Sequence, residues 1–63
     1  MQQEVNQPQV LGALRTGMQM IENKSHPNAI RAFMSMACEI LGREVILDAM
    51  NYLEQYRALL KYL

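Results

Sequence analysis

The sequence has little of what a catalytic, metal-binding or disulfide-stabilised protein needs. It contains one cysteine, Cys38, and one histidine, His26, so no disulfide can form within the chain. A zinc site needs about four ligands at close spacing, and neither a Cys-x-x-Cys nor a Glu-x-x-His pair occurs. We therefore expect no metal, no cofactor and no enzymatic activity.

An excess of one charge and a long apolar run are missing as well. Six Lys and Arg residues balance six Asp and Glu residues, so no overall field attracts a nucleic acid or an anionic membrane. No apolar run reaches the roughly 18 residues of a membrane helix, and the first residues lack the basic and apolar regions of a secretion signal. These absences predict a cytoplasmic protein for which neither nucleic acid nor membrane is the expected partner.

What remains is a short, apolar chain of 63 residues, 51% of them hydrophobic, which is enough for one small globular domain. We place the domain at residues 6–63, after a polar, disordered N-terminus at residues 1–5. Ordering the domain costs ~80 kcal/mol, which about 3,200 Å² of apolar burial offsets, roughly what a chain of this size can bury. Because this balance is near zero, we expect further burial against a second chain.

The apolar periodicity predicts an all-α fold. The chain is divided into helices by residues that typically start or stop a helix. These residues are Gln7-Pro8, Ser25-His26-Pro27-Asn28 and Gly42. Without a capping side chain near Gly42, one bent rod through this glycine is an alternative, but we favour a break. The predicted helices are three, at residues 7–22, 26–41 and 43–62.

The first of these helices is predicted to start at the capping residue Asn6 and to stop at a left-handed Asn23. Ala13 and Gly17 lie four residues apart on it, so that another backbone could come close to this face. A marginal helix held only by tertiary contacts is the alternative.

The second helix is apolar on all but one side. Its polar residues Arg31, Ser35 and Glu39 are spaced four apart and form one narrow stripe, which we take as a possible face for a protein partner. A helix that is apolar on three sides must be covered on three sides. The neighbouring helices and any partner chain are expected to follow from that need.

The third helix carries an a/d pattern typical of a coiled coil. We call this row the predicted seam and expect it to mediate self-association into a homodimeric helical bundle. An ordinary core face is the alternative, because two and a half heptads do not prove a coiled coil. The predicted seam consists of Ile46, Ala49, Leu53, Tyr56, Leu60 and Leu63.

The six methionines allow two interpretations. Met34, Met36 and Met50 are expected to fill gaps in the core, as flexible thioethers often do. Alternatively, Met18 and Met20 join Met34 and Met36 in an adaptable groove for a partner helix.

In length, helicity and lack of a catalytic signature, the whole chain resembles the short accessory proteins from the early regions of temperate lambdoid phages. The resemblance implies a cytosolic bacteriophage protein that modulates a host or phage process by contact, and it transfers no functional residue. We predict a small regulatory protein that binds itself, as a homodimer, and another protein. The alternative is a dimeric nucleic-acid-binding regulator that brings the scattered Arg43, Arg57 and Lys61 together by symmetry.

Overall fold

The computed structural model of the protein describes residues 7–63, and every regular element in this range is helical. The all-α prediction is therefore confirmed for these residues, and the first two helices end where predicted and begin one residue later than predicted. The predicted disorder of residues 1–5 and capping by Asn6 fall outside the described residues. The elements are α1 (Pro8–Glu22), α2 (Pro27–Leu41), α3 (Arg43–Tyr52) and a C-terminal 3-10 helix (Glu54–Tyr62).

The end of α1 is closed by backbone hydrogen bonds rather than by a side chain. The amide of Ser25 donates to the carbonyl of Met20 at 2.9 Å, and the amide of Lys24 donates to the carbonyl of Ile21 at 3.0 Å. This is a Schellman motif, whose left-handed residue is Lys24 with φ of 60°. The prediction of a left-handed Asn23 is wrong by one residue, because Asn23 still donates to the helix and has φ of −81°.

A sharp break separates α2 from α3 and confirms the division at Gly42. Gly42 has φ of 102° and ψ of 127°, a conformation that residues with a Cβ rarely adopt. At the other end of α2, the Nδ1 of His26 accepts a hydrogen bond from the amide of Asn28 at 3.0 Å. His26 thus caps α2, and Pro27 occupies its first turn.

The prediction of one third helix across residues 43–62 is wrong. The α-helix ends at Tyr52, Leu53 is extended with φ of −107° and ψ of 94°, and the chain continues as the 3-10 helix. An unbroken helix of 20 residues would be about 30 Å long, whereas α1 and α2 with 15 residues each span only about 22 Å. Because of this break the 3-10 helix folds back, and it contacts α1, α2 and α3.

One continuous core holds the four elements together. Its members come from every element, and Leu59 from the 3-10 helix lies in it with no exposed surface. The buried core consists of Val10, Leu14, Ile30, Met34, Ala37, Ile46, Ala49, Met50 and Leu59.

The small residue Gly17 makes room for this arrangement. A Cβ at Gly17 would lie 2.9 Å from Cδ2 of Leu59 and 3.1 Å from Sδ of Met34. The close approach of another backbone that was predicted for the Ala13 and Gly17 face is not what occurs at Gly17. The group that approaches is a pair of side chains of the same chain rather than a second backbone.

Candidate interaction surface

The outer side of α2 carries an apolar stripe that no other described element covers. Ile40 is 74% exposed and Met36 is 59% exposed, and Phe33 beside them is half-buried. With the exposed Ala29 they follow one another at intervals of four, three and four residues, so they form a single row along the helix. We call Ala29, Phe33, Met36 and Ile40 the α2 stripe.

A shallow groove of about 300 Å³ runs beside the stripe, between α1 and α2. Gln9 and Ala13 from the beginning of α1 line it together with residues from the end of α2, so the two helices run antiparallel. None of the described residues that line the groove is charged. The lining consists of Gln9, Ala13, Phe33, Met36, Ala37, Ile40 and Leu41.

The α2 stripe is an exposed surface that was not predicted from the sequence. The apolar character of α2 on three sides was clear, but the side left uncovered was not. Neighbours in this chain bury the side that contains Ile30, Met34 and Ala37. The spacing of the stripe, which is that of a coiled-coil a/d row, was the available signal.

The methionines divide between the two interpretations of the sequence. Met34 and Met50 are completely buried, which confirms that they fill the core. Met36 lies on the surface, so its assignment to the core is wrong. Met18 and Met20 are half-buried and pack against the core. Of Met18, Met20, Met34 and Met36, only Met36 lines the groove between α1 and α2.

The residues of the predicted seam do not form one continuous face. Ile46 and Ala49 are fully buried in the core of this chain, and the extended Leu53 interrupts the helical geometry that the a/d pattern assumed. Leu60 is 37% exposed, whereas its neighbour Leu59 takes the core position. Tyr56 and Leu63 are half-buried against the core. Self-association through the predicted seam stays a prediction, but Ile46 and Ala49 offer no free surface to it.

The polar residues of α2 are all exposed, as expected for a possible partner face. Arg31 donates from Nη1 to Oδ1 of Asn28 at 3.4 Å. Ser35 and Glu39 lie at the rim of a second groove of about 280 Å³, which Cys38, Arg43 and Leu63 complete.

The thiol of Cys38 in this second groove is half-buried. Burial raises its pKa above the ordinary value of 9.0, and the positive charge of Arg43 opposes that shift only in part. A raised pKa means less thiolate at neutral pH. The half-buried position and the raised pKa of Cys38 are those of a small packing residue rather than of an activated nucleophile.

Two of the basic residues of the nucleic-acid alternative contact groups of their own chain. Arg57 donates from Nη2 to the carbonyl of Asn51 at 3.3 Å, and the Nζ of Lys61 lies 5.9 Å from the centre of the Tyr62 ring. Arg43 lies at the second groove. These contacts neither favour nor test nucleic-acid binding.

Residues 7–63 offer neither a cluster of metal ligands nor a membrane-spanning helix. Nowhere in this range do three side chains of His, Cys, Asp or Glu gather in a way that could hold a metal ion. Among its helices, none has both the length and the apolar character needed to cross a membrane.

Comparison with known proteins gave no match. No family model matches the chain, and no curated protein or solved structure is significantly similar to it.

Proposed function

We propose that the protein is a small, non-enzymatic protein–protein interaction module that acts as a homodimer, and that the α2 stripe with the adjoining groove is its contact surface. The observation that carries this proposal is the exposure of Met36 and Ile40 in one row beside an uncharged groove. Contiguous apolar surface of this kind marks interaction sites on soluble proteins.

A second copy of the chain suits this surface for an electrostatic reason. The formal net charge of the chain is zero, so two copies do not repel each other as they approach. The groove lining carries no charge that a second apolar surface would leave buried and unpaired. A dimer also supplies the additional apolar burial that a chain of this length needs.

The exposed parts of Ile40 and Met36 by themselves support at most a weak dimer that dissociates on dilution. Complete burial of an Ile or Met side chain contributes about 1.5–3 kcal/mol, so the exposed fractions of Ile40 and Met36 correspond to about 1–2 kcal/mol each. Four such side chains in a dimer give about 4–8 kcal/mol, against an association cost of about 4–15 kcal/mol. The contributions of Phe33 and of the groove have to supply the remainder.

The polar row on α2 remains available in such a dimer. Arg31 and Ser35 lie on the far side of the helix from the α2 stripe, and Glu39 lies at its edge. We propose this row as the surface for another protein. Replacement of Arg31 and Ser35 by Ala should leave the dimer dissociation constant unchanged, whereas a tenfold increase would assign both residues to the dimer contact instead.

The test compares two substitutions that add the same charge at exposed apolar positions. Ile40→Lys lies in the α2 stripe, and Tyr52→Lys replaces a side chain that is 65% exposed near the end of α3. Both lysines lie near a helix C-terminus, where a positive charge is tolerated. Static light scattering and sedimentation over a hundredfold range of concentration measure the dissociation constant of each variant.

We expect Ile40→Lys to weaken the dimer at least thirtyfold, because about 2 kcal/mol is lost over the two copies and each ten-fold step corresponds to about 1.4 kcal/mol. Tyr52→Lys should change the dissociation constant less than threefold. Circular dichroism confirms that both variants remain helical. A wild-type protein that stays monomeric at all concentrations, or equal effects of the two substitutions, would refute the proposal.

A further inference from the structure

The spacing of the residues in the α2 stripe also restricts how the two copies can be oriented. We propose that the α2 helices of two copies pair antiparallel, with the two-fold axis midway between Phe33 and Met36. This inference rests on the proposed homodimer and adds to it the partner element, the direction and the register.

The register follows from the spacing of the stripe. In an antiparallel pair, a and d positions face each other, and only one register uses all four residues of the stripe. In that register Ala29 faces Ile40 of the other copy, and Phe33 faces Met36. The smallest residue thus lies opposite the most exposed large one, Ile40, and two large residues meet near the axis. An interface with a two-fold axis requires such self-complementarity.

The charge beside the stripe favours the same direction. Exposed Ala32 and Glu39 flank the stripe on the side away from α1. A parallel pair would put the two Glu39 side chains on opposite flanks and would place each carboxylate beside the flank of the other copy that carries the uncharged groove. The antiparallel pair separates their levels by about 14 Å, from nine residues at a rise of about 1.5 Å. It also brings each Glu39 near Ala32 of the other copy, where no charge opposes it.

The antiparallel pair makes the helix ends complementary as well. The partial positive charge at the beginning of one α2 lies beside the partial negative charge at the end of the other. On the opposite side of the stripe, the α1 helices of the two copies flank the pair, so the contact resembles the layer of a four-helix bundle.

Engineered cysteines test the direction in the full chain. Cys38→Ser removes the only native thiol, and Ala29→Cys and Ile40→Cys are then introduced in separate chains that differ in tag length. The antiparallel register predicts a disulfide between the two different chains when they are mixed and oxidised. It predicts no disulfide between two Ala29→Cys chains, whose levels differ by about 16 Å.

A pair of surface substitutions provides a second test that leaves the stripe intact. Ala32→Lys should tighten the dimer, because the new charge lies near Glu39 of the other copy, and Ala32→Glu should loosen it severalfold. In a parallel pair the two residues at position 32 would lie on opposite flanks of the contact, away from Glu39 of the other copy, so the Lys and Glu substitutions would not have opposite effects. The measurement is the dissociation constant at low and at moderate salt, where the difference between the variants should shrink with salt.

The results separate this inference from the proposed homodimer. A mixed disulfide together with opposite effects of Lys and Glu at position 32 supports the antiparallel register. A dimer that links two Ala29→Cys chains, or in which Lys and Glu at position 32 do not have opposite effects, overturns the register while the homodimer stands. A wild-type chain that never dimerises overturns both.

Discussion

The 3-10 helix packs against α1 through the contact between Leu59 and Gly17, and a double-mutant cycle tests this contact. Gly17→Ala adds a methyl group that would lie 2.9 Å and 3.1 Å from the two Cδ atoms of Leu59. Leu59→Val withdraws both of those methyl groups by one bond. We expect the two substitutions to be strongly coupled, because each one changes the space that the other needs.

The magnitude follows from two opposing effects. Replacing a helical glycine by alanine stabilises a helix by about 0.5–1 kcal/mol, and Gly12→Ala should show this gain because no atom lies within 4 Å of the added Cβ. At Gly17 the overlap with Leu59 opposes the gain by about 1–3 kcal/mol, so the net effect is a loss of up to about 2 kcal/mol. In the Leu59→Val background the overlap with Leu59 is relieved and only the contact with the flexible Met34 side chain, 3.1 Å from its Sδ, remains, so Gly17→Ala should become close to neutral.

Urea unfolding followed by circular dichroism measures all four variants and Gly12→Ala at one protein concentration, because dimerisation would otherwise change the apparent stability. We expect a coupling free energy of about 1–2 kcal/mol. Gly17→Ala that stabilises the wild type as much as Gly12→Ala does, or additivity within about 0.5 kcal/mol, would show that Leu59 does not pack against Gly17.

Three further predictions concern the backbone and the thiol. Gly42→Ala should destabilise the chain by about 1–3 kcal/mol, because φ of 102° strains any residue with a Cβ, and a thermal midpoint equal to that of wild type would contradict this. Lys24→Gly should stabilise it by about 0.5–1 kcal/mol, because glycine adopts the left-handed conformation of this position without strain, and a loss in urea unfolding would argue against the Schellman motif. Cys38 should react with a disulfide reagent at pH 8 more slowly in the folded chain than in urea, because its raised pKa reduces the thiolate, and equal rates would disprove the shift. The same shift favours the protonated thiol in the folded state, so its contribution to stability is present below pH 9.0 and is lost as the pH rises above that value.

Local signals in the sequence sufficed for the first two helices. Proline at positions 8 and 27 and glycine at position 42 act within one turn of the backbone, so their effect does not depend on the rest of the fold. The left-handed residue after α1 was misplaced by one position, because Asn23 is the commoner residue type in that conformation but Lys24 occupies it.

Only part of the interaction surface could be predicted from such local signals. The polar row of Arg31, Ser35 and Glu39 is a property of α2 alone, and it is exposed as predicted. The α2 stripe is the part of an apolar helix that remains after α1 and α3 have covered the rest. The periodicity of a sequence predicts which faces of a helix are apolar, but it does not predict which of these faces a neighbouring element buries.

The sequence by itself determined an all-helical chain, the bounds of α1 and α2 to within one residue and the break at Gly42, because helix periodicity and helix punctuation are local properties. The tertiary structure decided that α3 ends at Tyr52, that Leu59 rather than Leu60 enters the core, and that Met36 and Ile40 remain outside. The physical reason is a match of lengths and volumes. A third helix of 20 residues would extend beyond the ends of α1 and α2. The chain therefore bends at Leu53, and Leu59 fills the space above Gly17.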